Sequence, residues 1–178
     1  FYLVATSPPW TATRFDLDGV TEVTKKLIGT LRNVAQFFVL YANIDAYEPG
    51  GGAKAKPTLL DRWILSRLHT LVGTCRVVLE GYDLTRGARA IQEFVIEELS
   101  NWYVRRSRRR FWKETDAADK RAAYDTLLEC LETTTRLLAP YTPFLAEELH
   151  QNLVRAARPD APASVHWCDY PASDSTRV

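Results

Sequence analysis

No methionine occurs in the 178 residues. An open reading frame begins with one, so the abrupt apolar start Phe1-Tyr2-Leu3-Val4 leads us to expect a piece of a longer protein. Cysteine is scarce and scattered: Cys75, Cys130 and Cys168 form no C-x-x-C pair, which argues against a disulfide framework or a zinc site and for a reducing, cytoplasmic setting. The three histidines, His69, His150 and His166, offer no i,i+4 metal pair. No apolar run approaches the roughly 20 residues of a membrane span, and the opening lacks the basic flank of a secretory leader. We therefore expect no membrane partner. Gly50-Gly51-Gly52 lacks the spacing and the Lys-Ser/Thr ending of a phosphate-binding loop. Glu97-Glu98 and Glu147-Glu148 are adjacent pairs that point to different helix faces, so they read as solvated surface rather than acid/base pairs. No catalytic residue and no metal ligand is expected.

What remains is ordinary globular composition, 46% hydrophobic and 25% charged, with a net charge of +1. Hydrophobic periodicity is the strongest signal. Val20, Val23, Leu27, Leu31, Val34, Phe38 and Tyr41 predict a helix from about Val20 to Ala42. Pro49-Gly50-Gly51-Gly52 interrupts it. Thr58 opens a second helix with a capping box in which Asp61 stands for Glu. The stripe Ile64, Leu68, Leu71, Cys75, Val78 and Tyr82 carries that helix to a stop at Gly81. Gly73 inside it weakens it by about 1 kcal/mol relative to alanine, so packing is expected to support it. A third helix is predicted from an Asp83 cap to about Lys113, on the order of 45 Å long. A fourth follows Thr115-Asp116, carries Tyr124, Leu127, Leu128, Leu131 and Leu138, and stops at Pro140. Thr142-Pro143 starts a short fifth ending near Val154.

The expected class is therefore all-α, an up-and-down bundle of four long helices plus a short fifth, with irregular head and tail. The divisions are 1–17 (lead-in), 18–156 (bundle) and 157–178 (extension). In the extension, Ser164-Val165-His166-Trp167-Cys168 reads as a possible short strand.

The charge is not evenly spread. Arg105, Arg106, Arg108, Arg109, Arg110 and Lys113 follow one another with no acidic residue from Trp102 to Lys113, and Trp102, Tyr103, Phe111 and Trp112 are interleaved. Guanidinium groups fit phosphate oxygens through paired hydrogen bonds, and aromatic faces give unstacked bases a platform. On charge alone two readings stand: contact with looped or single-stranded RNA, or a solvated face salt-bridged to Glu129, Glu132 or Asp125. Trp102 reads as core ahead of base platform; Tyr103 and Trp112 are open between the two. Leu84, Ala88, Ile91, Val95, Leu99 and Trp102 form one apolar stripe whose extension lands on Arg106, Arg109 and Lys113. Unpaired buried charge is too costly for that face to stay covered. The third helix is thus expected to overhang the bundle, kink near Trp102, or meet acidic partners.

Ser100-Asn101-Trp102-Tyr103-Val104-Arg105-Arg106-Ser107-Arg108-Arg109-Arg110-Phe111-Trp112 resembles the signature helix of the anticodon-binding domain of isoleucyl-tRNA synthetases, of class I. Leu60-Asp61-Arg62-Trp63-Ile64-Leu65 and Ala139-Pro140-Tyr141-Thr142-Pro143-Phe144 are similar to other stretches of the same domain, the latter shared with valyl and leucyl relatives. The resemblance implies a domain that holds the anticodon stem and loop of the isoleucine tRNA while absent domains perform ATP-dependent aminoacylation. ATP and Mg would belong to the parent enzyme, with no cofactor in this segment. Neither the H-I-G-H nor the K-M-S-K-S type of motif is present, so no activation or editing is expected of it alone. The implied RNA-binding residues are Trp102, Tyr103, Arg105, Arg106, Arg108, Arg109, Arg110, Trp112 and Lys113. The implied partners are the isoleucine tRNA and the catalytic and C-terminal domains of the parent chain, with the protein a monomer. The rival expectation is a structural or protein-docking module with salt-bridged arginines, or the equivalent domain of a valyl or leucyl enzyme.

Overall fold

A computed structural model describes residues 1–51, 55–112 and 116–177. Helix α1 is Tyr2–Thr6. Helix α2 runs without interruption through Leu17–Val23, Thr24–Ile28 and Gly29–Ile44. Helix α3 is Leu59–Glu80, and α4 is continuous through Leu84–Glu93, Phe94–Val104 and Arg105–Trp112. Helix α5 is Ala117–Leu138, and α6 joins Pro143–Leu149 to His150–Arg155. The architecture is an all-α bundle.

Local chemistry explains the starts. Asp16, Asp83 and Asp116 each accept a backbone N–H of the first turn, supplying partners that a helix N-terminus otherwise lacks. Thr58 and Asp61 form the complete capping box. The stop after α3 differs from expectation. Gly81 is not left-handed; Tyr82 is, at φ 60°. Asp83 N–H donates to Val78 O and Tyr82 N–H to Leu79 O, the paired bonds of a Schellman ending with Tyr82 where glycine is usual.

One core joins all the long helices. Leu27, Leu31 and Val34 of α2 and Ile64, Leu68 and Val72 of α3 meet Ile91, Val95 and Leu99 of α4 and Leu127, Leu131 and Leu138 of α5. Helices α2 and α3, joined by the long glycine-containing loop, share no extended seam; each rests on α4 and α5.

The two ends depart from the sequence expectation. The head contains a helix: α1 lies on α4, where Arg89 donates to the carbonyls of Ala5 at 2.8 Å and Thr6 at 2.7 Å, and Thr85 donates to Val4 O at 2.8 Å. The tail contains no strand among the described residues. Val165–Trp167 is a single 3₁₀ turn capped by Ser164. From there the chain straps across α3. Arg76 donates to Pro171 O at 3.1 Å, Ser173 to His69 O at 2.9 Å, and the Asp174 N–H to His69 Nδ1 at 3.1 Å. A strand needs a neighbour for its ladder, and the strap meets a helix, whose backbone groups are already paired.

Candidate nucleic-acid interface

Helix α4 does not behave as a uniform 3.6-residue helix. Among its buried positions, Ile91, Val95, Leu99, Tyr103, Ser107 and Phe111 recur at a step of four residues, with Phe94 and Val104 buried beside them. Phe94–Val104 is π-helical. Closure of i→i+5 bonds places more residues in each turn, so a four-residue repeat remains on one face instead of drifting around the helix. This corrects the expected stripe. The core face passes from Leu99 to Tyr103, Ser107 and Phe111, leaving Trp102, Arg106 and Arg109 outside. No overhang is needed to free them.

The inner face is firmly anchored. Asp61, fully buried in the first turn of α3, accepts from Tyr103 Oη at 2.7 Å and from Arg110 Nη1 at 2.7 Å and Nη2 at 2.8 Å. Thr58 donates to the same carboxylate through its N–H at 2.8 Å and its hydroxyl at 2.7 Å. Burial would raise the Asp61 carboxyl, but the hydrogen bonds from Arg110, Tyr103 and Thr58 outweigh it and hold the group below its ordinary range. Arg110 also donates Nε to Asp119 Oδ2 at 3.0 Å, tying α4 to the start of α5. Phe111 packs edge-on against Phe37 at 5.1 Å and Tyr124 at 4.9 Å between centroids.

Two expected RNA contacts are thereby corrected. Tyr103 is fully buried and bonded to Asp61, so it is core and not a stacking platform. Arg110 is spent on Asp61 and Asp119 and offers no free guanidinium to a phosphate. The acids expected to neutralise the run have other partners. Asp125 accepts from Tyr47, Glu129 faces Arg177, and Glu132 faces Arg158 and Arg136. Two glutamates read as solvated surface are structural ties. Glu98 takes a paired contact from Arg67, at 3.0 Å from Nε and 2.6 Å from Nη2, and Glu147 accepts from Ser164 Oγ at 2.8 Å and Val165 N at 3.0 Å. Periodicity could not reveal these ties, because their partners lie far away in sequence.

The outer face carries Arg105, Arg106, Arg108 and Arg109, all exposed and without an ion-pair partner among the described residues. Trp102 is 49% exposed and Trp112 56%. Trp102 is thus surface, not core. The Arg106 guanidinium lies 4.6 Å from the centre of the Trp102 ring. Trp63 of α3, which sequence reasoning did not single out, sits beside Trp102 at 6.4 Å between ring centroids. Lys113 lies outside the described residues. No group of three or more His, Cys, Asp or Glu among the described residues could hold a metal, and no helix among them is long and apolar enough to cross a membrane.

An all-α bundle presenting such a face is a known class of domain. Residues 61–177 match the family described as the anticodon-binding domain of tRNA ligase, and the chain belongs to that family. Among its relatives, the isoleucine–tRNA ligase of Dehalococcoides mccartyi is 50% identical over 100% of the chain and 18% of its own length. The isoleucine–tRNA ligase of Thermus thermophilus is 47% identical over 98% of the chain and 17% of its own length. That of Cytophaga hutchinsonii is 45% identical over 96% of the chain and 16% of its own length. The chain thus spans less than one-fifth of these relatives.

Proposed function

We propose that the chain is the part of an isoleucine–tRNA ligase that grips the anticodon stem and loop of the isoleucine tRNA, while other parts of the longer protein aminoacylate it. The observation that carries this reading is the outer face of α4. Arg105, Arg106, Arg108 and Arg109 stand exposed without carboxylate partners among the described residues, on a helix whose inner face is locked by Asp61. An always-charged, planar donor left unpaired on a rigid support suits phosphate oxygens. Among the described residues of the run, the salt-bridge reading describes Arg110 alone. ATP and Mg belong, in this reading, to the catalytic parts of the longer protein. The three free cysteines support a reducing, cytoplasmic setting.

The test is the affinity for isoleucine tRNA across a salt series, in the wild type and in an Arg106→Glu, Arg109→Glu double variant. The variant should bind more weakly, and the slope of log affinity against log salt should shallow by roughly 0.7–0.9 for each phosphate that is no longer neutralised. Equal affinity and equal slope would contradict the assignment.

A further inference from the structure

We propose that a cavity of about 830 Å³ beside α5 is a site for a small tetrahedral oxyanion of the phosphate class, held by Arg136 and Arg158. Helix α5 supplies most of the lining. The loop after α2 adds Tyr47 and Pro49, and the tail adds Arg158 and Arg177. No described residue of α4 lines the cavity, so it is separate from the arginine face.

Among the described residues, four guanidinium groups meet three carboxylates there. Asp125 accepts from the Tyr47 hydroxyl at 2.5 Å, and Arg121 Nε lies 3.7 Å from it. Glu129 is taken by Arg177, with His69 Nε2 at 3.5 Å. Glu132 alone is shared by two arginines. Arg158 pairs with its Oε2, and Arg136 Nη2 lies 3.9 Å from its Oε1. One positive charge is left over, and it falls on this pair. Unpaired donors coincide with it: Arg136 Nε and Arg158 Nε are both buried and have no acceptor among the described residues. A buried N–H without a partner is costly, and more so on a charged group. The three carboxylates are already engaged, so the acceptor must come from elsewhere. A water molecule would satisfy a donor and leave the charge. A tetrahedral oxyanion has oxygens enough to accept from both guanidinium groups, and it neutralises the surplus. Arg121 also donates to Glu48 O at 2.8 Å, so the loop, α5 and the tail all converge on the site.

Equilibrium dialysis against labelled inorganic phosphate, with ionic strength held constant by chloride, tests the site. The wild-type chain should bind a single phosphate saturably. Arg136→Gln and Arg158→Gln should each weaken that binding about 10- to 150-fold, the loss of a charge-assisted hydrogen bond. Arg158→Lys keeps the charge but lacks the Nε–H donor, and should lose affinity to a similar degree; diffuse attraction to a positive surface would leave it unchanged. Circular dichroism establishes the fold of each variant. If a glutamine variant does not fold, the wild-type isotherm and the lysine variant decide. Saturating anticodon stem-loop of the isoleucine tRNA should leave phosphate affinity unaltered, because α4 does not line the cavity. Absence of saturable phosphate binding by the wild type, or undiminished binding by a folded Arg158→Lys chain, would overturn the site. Displacement of phosphate by the stem-loop would overturn it too, and give the cavity to the RNA backbone.

Discussion

Asp61 connects three functions of one small region: it caps α3, binds Tyr103 and neutralises Arg110. A carboxylate with no exposure is tolerated only because its oxygens are fully supplied with donors. Removing one partner leaves an uncompensated buried charge, so Arg110→Ala should lower stability by about 3–5 kcal/mol, measured by urea unfolding. An Arg110→Ala chain as stable as wild type would contradict this account. The pH dependence follows from the same carboxylate. Its folded pKa lies below the ordinary 3.8, so its stabilisation is whole above that value and is lost as pH falls through the lower folded value. The Asp61→Asn chain should be less stable at neutral pH and should lack this acid-labile component.

Elements meet closely at some places and loosely at others, and two helical glycines separate the cases. A Cβ on Gly87 of α4 would stand 2.4 Å from Tyr141 Oη and 3.2 Å from Val78 Cγ2, so α3, α4 and the turn into α6 converge where no side chain fits. Gly73 of α3 has only Ser173, at 3.8 Å and beyond, near its prospective Cβ. Gly87→Ala should therefore lower the melting temperature, whereas Gly73→Ala should raise stability by about 1 kcal/mol through helix propensity. The opposite order in a thermal melt would refute the packing described. Helix positions, caps and most of the core were legible in the sequence, because amphipathic period and N-cap chemistry are local properties. The inner and outer faces of α4 were not. A uniform 3.6 period places Trp102 inside and Tyr103 undecided, and only the π-helical turns at Phe94–Val104 reverse them. The fate of Arg110 was equally hidden, since Asp61 lies 49 residues away. The tail strap, held by His69 and Arg76, carries no periodic signal at all.

The whole molecule is a bundle closed on one side by that strap. Cys75 lies beneath it, buried, with its thiol pushed up to about 11 by burial. It should be inert to a thiol reagent at pH 8 in the intact chain, while half-buried Cys168 reacts first. Deleting residues 164–178 should make Cys75 reactive; continued inertness would show that the strap does not cover it. Along α4 the bundle turns outward the arginines that its core has no use for, and we propose that this face receives the anticodon arm. The most direct measurement is a nuclease footprint on isoleucine tRNA. The wild-type chain should protect the anticodon stem and loop, and the folded Arg106→Glu, Arg109→Glu chain should lose that protection. Protection confined to the acceptor arm, or an anticodon footprint that survives the double substitution, would contradict the account.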